Sequence, residues 1–211
     1  MALRRDPHAS DRFPQDVVEL QKFLGDGSPL PGIKAIPGQG TNVPLYILGS
    51  SLFGAELAAE LGLPYAFASH FAPRFLHEAI EAYRNGFKPS RQQPEPYLIA
   101  GVGVIAADTS ENAATQLEAA RRVRARALFG RGQKLSEDDV TALLASPQAA
   151  AVDEMLAYTA VGLAGEVIAY LQSFAADTGA DELMTVHYSD SVPSRLRSVE
   201  LLKAPSRANT P

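Results

Sequence analysis

The sequence predicts an α/β fold built on a parallel sheet, and three observations lead there. Short apolar runs alternate with longer stretches of helical period. The longest apolar run, Tyr97 to Ala107, is apolar nearly throughout, as in a strand covered on both faces. Glycine, proline and hydroxyl residues punctuate the joins. With 211 residues, 46% of them hydrophobic and 20% charged, the chain can bury a sizeable core in one domain.

Taken in order, Pro14 to Leu24 is predicted helical: proline sits early, and Val17, Val18, Leu20 and Leu24 form a stripe. Gly25 to Asn42 has no sustained period and reads as a long loop, of a length that often marks function. Val43 to Leu48 is the first strand. Ser51 to Leu61 is the helix after it, closed by Gly62 just past its C-terminus. Pro64 to Ser69 is the second strand. Pro73 to Asn85 is a helix with Phe75, Leu76, Ala79, Ile80 and Tyr83 on one face, and the polar, proline-rich Lys88 to Pro96 is a surface loop. Tyr97 to Ala107 is the third strand. Asp108-Thr109-Ser110-Glu111 has the form of a capping box opening a helix from Ser110 to Leu128. Shorter helices are predicted over Ser136 to Leu144 and Glu166 to Asp177, a fourth strand over Glu182 to Tyr188, and a last helix over Pro193 to Lys203. Residues 1–204 then form the domain, and 205–211 a flexible tail.

Right-handed crossovers place all strand C-termini of such a sheet along one edge, where ligands of parallel α/β folds bind. Gly49, Ser50, His70, Asp108 and His187 fall at or just past those ends. Ser50 and Ser51 join the first strand to a helix N-terminus. Free N–H groups, the helix dipole and two hydroxyls there favour an anion or phosphate, although a serine at this point also serves as a plain helix cap. His70 is either a strand-end histidine satisfied by a carbonyl or a residue lining a pocket.

Other features exclude chemistry. There is no cysteine, so disulfides, zinc–thiolate sites, iron–sulfur clusters and thiol nucleophiles are ruled out. The net charge of −5 argues against nucleic acid or an anionic membrane as partner. Arg121, Arg122, Arg124 and Arg126 read as a solvated helix face. Gly101-Val102-Gly103 lies within a strand instead of at a strand-to-helix turn, so it reads as close packing of small residues, not as a dinucleotide fingerprint. Glu56 with Glu60 and Glu78 with Glu81 lack histidines at matching spacing, so no metal site is expected. No nucleophile elbow or P-loop is present, and no catalytic side chain is assigned. No apolar run reaches the length of a membrane span, and Met1 to Phe13 lacks the apolar core of a signal peptide. Cytoplasmic residence is expected.

Three segments carry a family resemblance: PLYILGSSLFGAELAAELGLPYAFASHFAP, then PYLIAGVGVIAADTSENA, then GADELMTVHY followed by RLRSVELL. Over Ala2 to about Leu202 the chain resembles the bacterial luciferase-like flavin monooxygenases, in particular their alkanal-monooxygenase-like subgroup. The resemblance implies a (β/α)8 TIM-type barrel of which this chain is the C-terminal half. About four parallel strands correspond to the fifth to eighth of the barrel, and the N-terminal half is missing. A whole barrel of this kind takes about 250 residues, so a truncated form is expected. The absent half would hold an arginine for the flavin phosphate, a histidine near the flavin, and much of the substrate pocket.

The resemblance further implies reduced FMN as cofactor, with the deazaflavin F420 as the less favoured choice. Reduced flavin and O2 would oxidise a small, aldehyde-like substrate, and a separate flavin reductase is a candidate partner. Ser50 and Ser51 match the place where relatives hold the flavin phosphate. Gly54 departs from the pattern, because relatives carry a hydroxyl residue there; its loss removes a charge-assisted hydrogen bond of about 1.5–3 kcal/mol. Leu163-Ala164-Gly165 is a milder departure, where relatives have a Thr-Pro-Glu-like helix start. His70 and Phe71 would line the pocket. The alternative is a non-catalytic half-barrel that acts by association, since open sheet edges and an uncovered apolar interior favour pairing with a second copy or another chain.

Overall fold

Every strand pairing in the computed structural model is parallel, and together the strands make one five-stranded sheet. The structure describes residues 9–28 and 30–203, so the expected tail at 205–211 lies outside the described residues. A 3-10 turn at Ala9–Arg12 leads into α1 (Phe13–Leu24). After the long loop come β1 (Ile47–Gly49), α2 (Leu52–Leu61) and β2 (Tyr65–Phe67). A 3-10 turn at Pro73–Phe75 precedes α3 (Leu76–Gly86) and β3 (Leu98–Ala106). Three helices follow, α4 (Ser110–Phe129), α5 (Glu137–Leu144) and α6 (Ala149–Met155). The chain closes with β4 (Thr159–Gly162), α7 (Ala164–Thr178), β5 (Glu182–His187) and α8 (Val192–Leu201).

β3 organises the sheet. β2 pairs with its first three residues and β4 with Gly103 to Ala106, while β5 runs beside Ile99 to Val104. Since β5 overlaps both partners, β2 and β4 share one edge of β3 and β5 takes the other. The faces alternate along the strand. Leu98, Ala100 and Val102 meet Ala55 and Ala58 of α2, Ala79, Ile80 and Tyr83 of α3 and Phe174 of α7. Val104 and Ala106 continue onto Val167. Ile99, Gly101, Gly103 and Ile105 look to the opposite face, in register with Leu48 and Ala66 on one side and Met184 and Val186 on the other. That face is open at its flanks: Leu48 is 72% and Met184 54% exposed. Among the described residues nothing pairs with the outer edge of β1 or of β5.

Two elements were not predicted. β4 is only four residues, Thr-Ala-Val-Gly, too short to show a period. α6, Ala-Ala-Ala-Val-Asp-Glu-Met, has a single buried side chain, Val152, and hence no stripe. The first strand is also shorter than predicted, because Val43 to Tyr46 find no strand partner. Instead the Gln92 amide brackets Leu45, accepting from its N–H at 3.1 Å and donating to its carbonyl at 2.8 Å, as a neighbouring strand would. The cap of α4 falls on Thr109, whose hydroxyl accepts from the Asn112 N–H at 3.1 Å. α7 begins two residues before the predicted start, with the Glu166 carboxylate accepting from the Leu163 N–H at 2.8 Å. Gly62 closes α2 in the left-handed conformation, where an added Cβ would also clash with the Lys88 carbonyl oxygen.

Candidate functional site

The strand C-termini lie along one edge, and two of them carry the predicted site residues. β1 ends at Gly49, and Ser50 and Ser51 turn the chain into α2. Ser51 stands at the N-cap position in extended backbone, yet its hydroxyl makes no capping bond. The turn is anchored through the Ser51 carbonyl, which accepts from the Tyr65 hydroxyl at 3.2 Å. Burial holds that phenol protonated well above its ordinary range. The first-turn N–H groups of α2 have no side-chain cap. Gly54 is buried beside the Tyr65 ring; a Cβ there would lie 3.5 Å from Cε2, an ordinary contact.

His70 follows β2 on the neighbouring strand end. Ser69 just before it is fully buried and donates to the Gly101 carbonyl at 2.5 Å. The His70 ring lies on Gly101 so closely that a Cβ at that position would be 2.5 Å from Nδ1. Nδ1 is buried and has no hydrogen-bond partner, so no carbonyl satisfies it. Burial, and secondarily the charge of Arg124, hold the imidazole below its ordinary pKa and keep it neutral. Phe71 packs edge-on against the His70 ring at 4.9 Å and is 40% exposed.

Tyr188, which sequence reasoning did not single out, ties this edge together. Its hydroxyl donates to the His70 carbonyl at 2.6 Å and accepts from Arg124 at 2.9 Å. The Arg124 guanidinium also stands over the ring, 5.0 Å from its centre. The ring packs on Gly103, where a Cβ would come within 2.7 Å of Cε2 and 2.6 Å of Thr159 Oγ1. Thr159 Oγ1, like His70 Nδ1, is a buried polar atom without a hydrogen-bond partner. The small residues at 101 and 103 were expected to serve close packing, and what packs on them is His70 and Tyr188. Two glycines at i and i+2 on one strand face were the available signal; which rings would fill them depended on strand order.

Other expectations are corrected by the geometry. The arginine run of α4 is not a solvated face. Arg121 pairs with Asp153 of α6 at 2.8 Å, Arg122 with Glu137 of α5 at 2.8 Å, Arg126 also meets Glu137, and Arg124 turns to Tyr188. Asp108 is held by the Arg197 fork of α8, with oxygens at 2.6 and 3.0 Å, and its carboxyl sits below the usual range because of that pairing. His187 Nδ1 lies 2.7 Å from the buried Ser198 hydroxyl, which also accepts from the Ala106 N–H. Asp108 and His187 thus dock α8, while Ser50, Ser51, His70 and Phe71 remain without such duties. Among the described residues no group of three metal-binding side chains converges, and no helix is long and apolar enough to cross a membrane.

Comparison with known proteins agrees with this architecture. The family profile of the luciferase-like monooxygenases matches residues 19–182. The Bacillus subtilis protein YvbT, itself uncharacterized, is 39% identical over 204 residues, covering 95% of this chain and 61% of its own length. A luciferase-like monooxygenase of Escherichia coli K12 is 36% identical over the same shares. The crystal structure of apo-MsnO8 superposes with a TM-score of 0.75 at 34% identity, covering 92% of this chain and 60% of that one. The chain therefore spans about three-fifths of the length of the relatives it matches. It belongs to the luciferase-like monooxygenase family, and its open parallel sheet is part of that family's barrel.

Proposed function

We propose that this chain carries the flavin-phosphate turn and one wall of the pocket of a flavin-dependent monooxygenase acting on a small, aldehyde-like substrate. One observation carries the reading. The Ser51 hydroxyl stands at a helix start without capping it, beside first-turn N–H groups that lack side-chain acceptors. A dianionic phosphate fits such a donor set. Ser50 and Ser51 would hold the phosphate of FMN, while Gly54 adds no hydroxyl. His70, neutral and anchored on Gly101, and Phe71 would shape the wall on the adjacent strand end and exclude water. Bound reduced flavin would supply the electrons with which O2 oxidises the substrate.

Fluorescence titration of the purified chain with oxidised and then reduced FMN, followed by size-exclusion chromatography, tests this reading. Saturable binding is expected, weakened about tenfold by Ser51→Ala and strengthened by a similar factor in Gly54→Ser, the change expected for one charge-assisted hydrogen bond. F420 is expected to bind more weakly than FMN. Soluble, folded protein without saturable flavin binding would overturn the reading. It would leave a second one, favoured by the exposed Leu48 and Met184 and by the outer edges of β1 and β5, which pair with no strand among the described residues: a half-barrel that acts by associating with another chain.

A further inference from the structure

A cavity of about 890 Å3 opens between α4 and the segment that carries β5 into α8. Ala120 and Val123 of α4 and Val186 of β5 give it an apolar wall. Its charge is uneven: four guanidinium groups, from Arg122, Arg124, Arg126 and Arg195, share it with two carboxylates, Glu137 and Asp190. Glu137 is occupied by Arg122 and Arg126. Arg124 has only a neutral phenol, that of Tyr188. Arg195 is exposed in the first turn of α8 and, like Asp190, makes no ion pair within the described residues. A local surplus of positive charge against an apolar wall, in a protein of net charge −5, is the footprint of a ligand with an anionic head and an aliphatic body.

We propose that this cavity binds an organic anion, a carboxylate or sulfonate whose head meets Arg195 and Arg124 and whose aliphatic body lies on Ala120, Val123 and Val186. The binding of this anion does not rest on the flavin reading. The site is separate from the phosphate turn. Across the sheet the order runs β1, β2, β3, β5, so Ser50 and Ser51 at the end of β1 stand three strands away from β5, and neither lines this cavity. The same direction of charge is felt at the nearby histidines: burial first, and then Arg195 for His187 and Arg124 for His70, disfavours their protonation.

Isothermal titration of the full chain with octanoate and with octanol separates charge from hydrophobicity. Octanoate is expected to bind saturably and at least tenfold more tightly than octanol. Arg195→Gln should weaken octanoate roughly tenfold while leaving octanol and the melting temperature unchanged. Arg91→Gln, outside the cavity, should change nothing. Glu137→Gln, which frees Arg126 and takes one of two carboxylate partners from Arg122, should tighten octanoate binding. Equal binding of the two probes, or octanoate binding indifferent to Arg195→Gln, would overturn the proposal. So would competitive displacement of octanoate by FMN, which would make the cavity the cofactor's own. A chain that binds octanoate through Arg195 but fails to bind FMN would refute the flavin reading and leave this site standing.

Discussion

Gly101 and Gly103 each lack a side chain because a ring occupies the space. At Gly101 an added methyl would strike both His70 Nδ1 at 2.5 Å and the Phe67 carbonyl oxygen at 3.2 Å. The His70 ring has little room to swing away, because its Nδ1 side is buried and Phe71 packs edge-on against it. Gly101→Ala is therefore expected to destabilise the fold by about 1–3 kcal/mol, the usual cost of overpacking. Chemical denaturation should show a lower midpoint with an unchanged slope. Flavin binding should fall less than stability, since the proposed phosphate turn follows β1, two strands away. Of the candidate site, Ser50, Ser51 and His70 were legible in the sequence because each follows a recognisable strand. Tyr188, Thr159 and Arg124 were not. Tyr188 reaches His70 from 118 residues away in the chain, and Thr159 sits on a strand too short to show a period.

Helix α8 shows how elements are fastened to this sheet, and why its stability should depend on pH. Its buried Ser198 hydroxyl bridges the Ala106 N–H of β3 and His187 Nδ1 of β5. Burial, then the charge of Arg195, lowers the pKa of His187, just as burial and Arg124 lower that of His70. Above the ordinary value of 6.5 both histidines are neutral, folded or unfolded, and impose no penalty. Below it the unfolded chain takes up protons first, so stability falls with pH until the depressed folded values are passed. Scanning calorimetry should find a level melting temperature between about pH 7 and 8 and a decline toward pH 5. The double variant His70→Gln, His187→Gln should flatten that decline. Asp108, Glu137 and Asp139, all depressed by hydrogen bonds to arginine or serine partners, act only at lower pH. Most elements could be read from the sequence because apolar stripes and caps such as Gly62 are local signals. The join of α4 to α5 and α6 could not, because Arg121, Arg122 and Arg126 look like any solvated run until Glu137 and Asp153 are brought opposite them.

At the scale of the whole molecule, one face of the sheet is covered by helices and the other is open at both flanks. Relatives extend beyond this chain by about two-fifths of their length, and the inner face of a barrel is ordinarily filled by side chains from all its strands. Here Leu48 and Met184, on the strands at either side, project 72% and 54% exposed onto that face. Beside them the outer edges of β1 and β5 pair with no strand among the described residues. Such edges template pairing, and an uncovered apolar face favours it further. The chain on its own should therefore self-associate in a concentration-dependent manner, which sedimentation velocity at several loadings would reveal as a rising weight-average coefficient. Leu48→Lys combined with Met184→Lys places charge on that face without touching the buried core. It should shift the population toward monomer while changing stability by no more than about 0.5 kcal/mol per site, as for other surface substitutions. A chain that sediments as a monomer at every loading, or a double variant that associates as strongly as the parent, would mean that the open face is not what joins the copies.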